Sequence, residues 1–400
     1  MSPTPIHLAV ALDGAGWHPA AWREPDARPR ELLTAGYWLD LVQEAERGLL
    51  DLVTLEDGLA LQSADPYRPD DRTDQVRGRL DAVLIASRIA PLTEHIGLVP
   101  TAIVTHTEPF HVSTAIATLD YVSTGRAGVQ VRVSLKQHEA RLFGRRSFPP
   151  VSPSDPAAAP LIQDAFTEAA DYVEVLRRLW DSWEDDAEIR DVATGRFVDR
   201  EKLHYIDFEG REFSVRGPSI TPRPPQGQPI VAALAHQAVP FELVGSSADL
   251  GFVTPRDAAH AEEIVAEIRC AQTAAGREEE TVHLLGDVVV FLDEDEATAR
   301  DRKARLDDLA GEEYRSDATV FTGTPAGLAD LLAEWQTAGL SGFRLRPGAL
   351  PHDLTAITRG LVPELQGRGL FRTAYEADTL RGLLGLPRPA NRYAGPTAAA

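Results

Sequence analysis

The segment Ile96–Val133, IGLVPTAIVTHTEPFHVSTAIATLDYVSTGRAGVQVRV, decides the fold of this sequence. Its first part, Ile96–Val104, is rich in β-branched residues, and Ala127–Val133 repeats that character. Between them, Pro109–Tyr121 has the length and composition of a helix that begins at a proline. A strand, a helix and a second strand in this order predict two parallel strands joined by a crossover helix.

The same alternation extends in both directions from this unit. Further strands are predicted at Ile6–Leu12, Leu50–Leu55, Ile230–Ala235, Leu250–Thr254, Val282–Leu292 and Gly342–Leu345. Helices are predicted at Tyr37–Arg47, Arg79–Ile89, Leu161–Trp183, Asp257–Ala275, Glu294–Leu309 and Pro325–Ala338. Strands that alternate with helices in this way predict a closed (β/α)8 TIM barrel of the α/β class, with residues 1–386 as one domain. An open doubly wound sheet is less favoured, because no G-x-G-x-x-G fingerprint follows the first strand.

Two insertions interrupt the alternation on either side of the long helix. Residues 136–160, after strand 4, are charged and then rich in proline. Residues 184–228, before strand 5, are acidic, contain a possible hairpin near Leu203–Val215 and end in a proline cluster. Long loops of this kind often carry function, so we expect them to shape a binding site. Residues 387–400 are expected to form a loose tail.

Composition excludes several classes of protein. The formal net charge of −21 opposes binding to nucleic acid and to anionic membranes. The N-terminal residues lack the pattern of a signal peptide, and no apolar run is long enough to span a membrane, so a cytoplasmic location is expected. The single cysteine, Cys270, excludes a disulfide within the chain and is expected to be a small buried residue.

Reactive groups in such a barrel gather at the carboxyl ends of the strands. His18, His106 and His236 are predicted at those ends, and imidazole is suited to acid–base catalysis near neutral pH. Each alone is more readily a structural or solvated histidine, but their shared end of the barrel favours a joint catalytic role. Their spacing is not that of a metal site, so no metal is predicted, although a metallohydrolase with three converging histidines stays open.

Two adjacent carboxylates follow the second strand. For Glu56 a capping role in the following loop is preferred, whereas Asp57 could accept a hydrogen bond from a ring N–H of a bound cofactor. Neither the G-x-S-x-G elbow of serine hydrolases nor a phosphate-binding P-loop is present in the sequence.

Several long strings of residues are similar to those of one enzyme family. They are GWHPAAWR (Gly16–Arg23), AERG (Ala45–Gly48), LDYVSTGRAG (Leu119–Gly128), LWDSWEDDA (Leu179–Ala187), the segment Gly195–Ile230 and GLFRTAYEADTLRGLLGLPRPANR (Gly369–Arg392). On these strings the chain resembles the bacterial luciferase-like, flavin-dependent monooxygenases, and within them the branch of the nitrilotriacetate and dibenzothiophene-sulfone monooxygenases. The resemblance runs from about Ile6 to Arg392.

The resemblance implies a barrel that binds reduced FMN at its carboxyl-end mouth and uses O2 to oxidise a small organic substrate. It also implies a separate flavin reductase as partner and a homodimer or homotetramer. The residues expected to contact the cofactor are Asp57, Thr105, His106, Gln130, Ser134, Phe166, Ala235, His236 and Gln237.

The chain departs from the pattern of the branch at three places. Strand 4 reads GRAGVQVRVS where the branch has G-R-A-G-W-N-x-V-T-S. His106 stands where the branch has a tyrosine after strand 3, and Phe166 stands where it has the tyrosine of an Arg-Tyr pair. The stretch Ala232–Val244, where the branch binds the FMN phosphate, contains no serine, glycine or arginine, and Pro240 lacks an N–H. His236 and Gln237 could rebuild that site. A deazaflavin-dependent hydride-transfer enzyme, or a non-catalytic barrel that binds a ligand or partner subunit, are the alternatives.

Overall fold

The computed structural model describes residues 5–63, 65, 68–149 and 155–394. Eight parallel strands form a barrel: β1 (His7–Leu12), β2 (Leu52–Leu55), β3 (Gly97–Ile103), β4 (Gly128–Arg132), β5 (Ile230–Ala235), β6 (Leu250–Val253), β7 (His283–Leu292) and β8 (Gly342–Pro347). Each strand pairs with the next, and β8 pairs with β1 in the register His7↔Gly342, which closes the ring. The predicted (β/α)8 barrel is confirmed.

Helices surround the barrel. They are α1 (Ala35–Arg47), α2 (Ala82–Ile89), α3 (Pro109–Val122), α4 (Gln137–Phe143), α5 (Ala159–Asp181), α6 (Ala238–Ser247), α7 (Ala258–Ala274), α8 (Glu296–Ala310), α9 (Pro325–Gln336), α10 (His352–Ala356), a π-helix (Ile357–Leu361), α11 (Val362–Gly367) and α12 (Leu380–Leu383). Several begin at side-chain caps, since Thr34 accepts a hydrogen bond from the Tyr37 N–H and Asp257 accepts one from the His260 N–H. On α7 the predicted buried position of Cys270 is wrong, because this residue is exposed.

An additional strand, Thr319–Gly323, was not predicted. It pairs in parallel with the second half of β7, in the register Val288↔Thr319. Strand β6 has only four residues and pairs with β7 at His283–Gly286. The remaining half of that β7 edge therefore has free backbone groups, which the additional strand satisfies.

Inside the barrel, apolar and polar side chains form successive layers. The layer near the amino ends of the strands is apolar and contains Ala9, Leu52, Val99, Ile230, Leu250 and Leu285. Above it lies a polar layer formed by Thr54, Thr101, Gln130, Asp287 and Arg344, all of them buried. The barrel is thus filled by side chains, and a ligand can reach it only at the mouth.

The insertions contain more regular structure than loops. The first includes α4, and the second forms two short hairpins, Glu188–Asp191 with Arg196–Val198 and Phe208–Glu209 with Ser214–Val215. Residues 395–400 of the tail that was expected to be loose lie outside the described residues. Within the described part of the tail, the Asn391 amide donates to the carbonyls of Asp181 and Trp183 at 2.8 Å. Among the helices of the described residues, none has the length and apolar character needed to cross a membrane.

Candidate functional site

The carboxyl ends of β2, β3, β4 and β5 lie side by side, because these strands are successive neighbours in the barrel. Asp57, His106, Ser134 and His236 follow these four strand ends. The structure therefore brings to one end of the barrel the residues that the sequence predicts there. Their contacts differ, however, and decide which of them can meet a ligand.

His106 is buried at the mouth, with 6% of its surface exposed. Its ring stacks on Phe143 at a centroid distance of 5.3 Å and lies 6.1 Å from Phe148. Within the described residues its Nε2 atom has no hydrogen-bond partner. Burial lowers the pKa of His106, so the ring is neutral at physiological pH. A buried polar atom without a partner is costly, which is typical of an atom that meets a ligand.

Beside His106 lies a cavity of about 180 Å³. Its walls include Thr105, His106, Thr107, Glu108, Arg145, Arg146, Glu168 and Phe213. The two arginines are already paired with carboxylates, Arg145 with Glu108 and Arg146 with Glu168. The cavity is polar but largely charge-compensated, and it has room for a small organic group.

Thr105 and Ser134 connect the loops after β3 and β4. The Thr105 hydroxyl accepts a hydrogen bond from the Ser134 N–H at 3.0 Å, and the Ser134 hydroxyl accepts one from the Lys136 N–H at 3.4 Å. Phe166 lies half-buried on α5 against the core, and Ala235 is the buried last residue of β5. These residues shape the rim through backbone and packing contacts.

Of the two carboxylates after β2, Asp57 and not Glu56 has the capping position. Asp57 accepts hydrogen bonds from the N–H groups of Gly58 at 2.7 Å and Ala82 at 3.0 Å, and so holds the start of α2. Glu56 instead points into the barrel, where it accepts hydrogen bonds from Gln130 and Arg344 at 3.3 Å. The capping role predicted for Glu56 is wrong.

Gln130 lies below the mouth, inside the polar layer. It is fully buried, and its amide donates to the Thr101 hydroxyl at 2.8 Å and accepts from Arg344 at 2.6 Å. The contact with a flavin edge predicted for Gln130 does not fit this position, because its amide is used within the protein. Arg344 also pairs with Asp287 at 2.6 Å, and neither residue could be predicted from the sequence as part of this layer.

His18 has a structural environment. Only 1% of its surface is exposed, its Nδ1 accepts a hydrogen bond from the Ala20 N–H at 3.0 Å, and its Nε2 lies 3.1 Å from Asp307. Both ring nitrogens are thus engaged within the protein. This geometry does not support the catalytic role predicted from the sequence.

His236 and Gln237 are exposed at the end of β5, where α6 begins. The Nδ1 atom of His236 lies 3.1 Å from the Thr254 hydroxyl, and its Nε2 atom lies 3.5 Å from Asp317. Gln237 occupies the N-cap position of α6 without a side-chain hydrogen bond to the helix. Within the described residues, the N–H groups of Ala238 and Val239 at the start of α6 therefore have no side-chain cap, and Pro240 has no N–H. A helix end with free N–H groups attracts anions.

Strands β7 and β8 contribute charges that compensate one another. Arg346 pairs with Asp287 and with Asp317, the latter at 2.6 Å, and the Trp17 ring lies 4.6 Å from its guanidinium carbon. This part of the mouth is therefore covered by its own side chains.

The opposite part, near β1 to β4, has unused hydrogen-bonding capacity. Within the described residues, Arg79 Nε, His106 Nε2 and Glu139 Oε2 are buried without partners. Arg132, the last residue of β4, and Lys136 lie in the same region. We call Arg79, His106, Arg132, Lys136 and Glu139 the open half of the mouth. In the described part of the chain, no group of three or more histidine, cysteine or carboxylate side chains is arranged to hold a metal ion.

The sequence of this chain is similar to those of known monooxygenases. Residues 16–309 match the family model described as luciferase-like monooxygenase. The chain is 31% identical to the N-acetyl-S-(2-succino)cysteine monooxygenase of Bacillus subtilis, over 97% of the chain and 98% of that protein. It is 30% identical to nitrilotriacetate monooxygenase component A of Aminobacter aminovorans, over 98% and 99%.

A solved structure of long-chain alkane monooxygenase superposes with a TM-score of 0.83 at 23% identity, over 96% of both chains, and shows that the fold is shared. Proteins of this family use reduced flavin and molecular oxygen. The chain belongs to the luciferase-like monooxygenase family.

Proposed function

We propose that this chain is the oxygenase component of a two-component monooxygenase, which uses reduced FMN and O2 to oxidise a small organic substrate. The observation that carries the proposal is the buried Nε2 atom of His106, which has no partner in the part of the chain that the structure describes and lies beside a cavity at the barrel mouth. The full-length similarity to monooxygenases supports it. The substrates in the names of the relatives range from polycarboxylates to alkanes, so similarity alone does not choose a substrate class.

The residues at the mouth fit a reduced flavin in two respects. A flavin phosphate needs an anion site, and the uncapped start of α6 beside His236 and Gln237 offers one without the serine and arginine of the branch. A flavin ring needs hydrogen-bonding groups, and the buried Nε2 atom of His106, which has no partner within the described residues, provides one. Bound there, reduced FMN would supply the electrons that activate oxygen.

The chain itself would orient the reactants and control protons. His106 Nε2, neutral because burial lowers its pKa, can accept a proton from the substrate or donate one to it. Phe143 and Phe148 cover this imidazole and limit the access of water. A separate reductase would deliver the reduced flavin, and we propose a cytoplasmic homodimer or homotetramer as the working form.

An anaerobic titration of the full-length protein tests this function. We expect reduced FMN to bind with a micromolar or lower Kd, and admission of air to reoxidise the bound flavin along a different time course from free flavin. Binding of a reduced deazaflavin without binding of FMN would favour the hydride-transfer alternative. Binding of neither would favour a non-catalytic barrel and overturn the proposal.

A further inference from the structure

We propose that the open half of the mouth recognises a carboxylate or similar anionic group of the organic substrate, with Arg132 as the central residue and Lys136 beside it. This inference rests on the proposed function, because it names the substrate class of the same site. It is carried by the direction, pairing and surroundings of the Arg132 side chain.

Arg132 points into the mouth of the barrel. Gln130, two residues before it on β4, has its side chain inside the barrel, and alternate residues of a strand share a face. The Nη1 atom of Arg132 donates to the backbone carbonyl of Asp57 at 3.2 Å. Strand β3 lies between β2 and β4, so the guanidinium crosses the inner side of β3 to make this contact.

The charge of Arg132 is not paired by any carboxylate of the described residues. Within the described residues, no carboxylate oxygen lies within 4.0 Å of its guanidinium, and its one hydrogen bond leaves several N–H donors free. Other arginines of the mouth are paired, since Arg79 binds Asp13 at 2.7 Å and Arg346 binds Asp317 at 2.6 Å. The nearby Asp57 carboxylate accepts backbone N–H groups of α2 and its loop. A planar donor with free N–H groups is suited to a carboxylate.

The surroundings add positive charge. Burial, and then the charge of Arg132, lower the pKa of Lys136, while Glu139 opposes this shift. The Lys136 ammonium lies 3.8 Å from Glu139, beyond a direct hydrogen bond. Arg132 and Arg79 both lie close enough to Lys136 to lower its pKa by their charge, so the three cations are near one another. An anionic group bound beside Arg132 would therefore also be attracted by Lys136 and Arg79.

The flavin phosphate has a separate proposed place, at the start of α6. The geometry therefore assigns Arg132 to the substrate.

Isothermal titration of the full-length protein with benzoate, hexanoate and succinate, each compared with its methyl ester, tests the proposal. We expect at least one acid to bind roughly tenfold or more tightly than its ester, and Arg132→Gln to abolish this preference. Arg132→Lys should retain part of it. Arg141→Gln is the matched control, because Arg141 is exposed on α4 without an ion pair in the described residues, and it should bind as the wild type does.

A parallel titration with reduced FMN and reduced riboflavin distinguishes the substrate from the flavin phosphate. We expect Arg132→Gln to bind both flavins as the wild type does. Selective weakening of FMN would assign Arg132 to the phosphate and overturn the proposal, as would a wild type that binds no acid better than its ester. Failure of the proposed function would appear differently, as loss of flavin binding by the wild type with the preference for acids intact.

Discussion

The imidazole of His106 stacks on the ring of Phe143 and lies 6.1 Å from that of Phe148, and its Nε2 atom has no partner within the described residues. Its position after β3 could be predicted from the sequence, because strand ends are set by the alternation of strands and helices. The contacts of Glu56, Asp57 and Gln130 could not be predicted, because they depend on which face of each strand points inward. That choice is made by strand register and by Arg344, which organises the polar layer from across the barrel.

We predict that His106→Ala lowers kcat by about 100-fold and leaves the protein folded. Removal of this ring takes away an acid–base group without leaving a former hydrogen-bond partner of Nε2 unpaired. Steady-state turnover and thermal unfolding would be measured together, with His111→Ala as control because His111 is exposed on α3. Turnover equal to that of the wild type would exclude a catalytic role for His106.

We predict that His236→Ala raises the Kd for reduced FMN by about tenfold and leaves the Kd for reduced riboflavin unchanged. His236 is exposed next to the uncapped start of α6, where a phosphate would bind. Anaerobic fluorescence titration with both flavins measures the difference. Equal losses for FMN and riboflavin would mean that His236 does not act on the phosphate.

At the scale of elements, the sequence predicts the eight barrel strands because each is a β-rich run separated from the next by a helical pattern. The strand Thr319–Gly323 could not be predicted from its own residues, because its formation depends on the lengths of two other strands. It exists where the ten-residue β7 extends beyond the four-residue β6. Helix α4 was also not predicted, because its seven residues lie in a charged insertion. Its residue Phe143 stacks on His106. Both elements are defined by tertiary contacts that a local pattern does not contain.

The start of β7 gives a prediction about pH. Burial, followed by the charge of His7, lowers the pKa of His283 to about 4, and its Nε2 donates to the Leu384 carbonyl at 2.7 Å. In the unfolded chain this pKa is about 6.5, so only the unfolded state takes up the proton between these values. The free energy of unfolding should therefore fall as the pH decreases from about 6.5 to about 4, and this contribution should then level off.

His283→Gln should remove this pH dependence. We predict that between pH 7 and pH 4.5 the wild type loses about 2 kcal/mol more than the variant. Urea unfolding at both pH values measures the difference. Parallel losses in the two proteins would show that His283 titrates normally in the folded state.

At the scale of the whole molecule, the barrel depends on the pairing of its last strand with its first. A Cβ atom on Gly342 would lie 2.1 Å from the His7 carbonyl oxygen, so only glycine permits the close approach of β8 to β1. We predict that Gly342→Ala lowers the free energy of unfolding by about 2–3 kcal/mol or prevents folding. Gly367→Ala, where a Cβ atom meets nothing within 4 Å, should be neutral or slightly stabilising. Equal stability of the two variants in thermal unfolding would contradict this account of closure.

The whole barrel also explains why the two parts of its mouth differ. Near β7 and β8, Arg346, Asp287, Asp317 and Trp17 satisfy one another. Near β1 to β4, as far as the structure describes the chain, Arg79, His106 and Glu139 retain unpaired atoms and Arg132 retains free donors. The similarity to monooxygenases gives the reaction class, and this asymmetry gives the side of the mouth on which we expect the reactants to meet.

A crystal structure of the full-length protein, grown or soaked anaerobically with reduced FMN, tests the central claim most directly. Our account predicts the flavin ring at the mouth of the barrel in contact with His106, and the phosphate at the start of α6 beside His236. A flavin bound outside the barrel mouth, or a mouth whose own side chains fill the space beside His106 at saturating FMN, would contradict it.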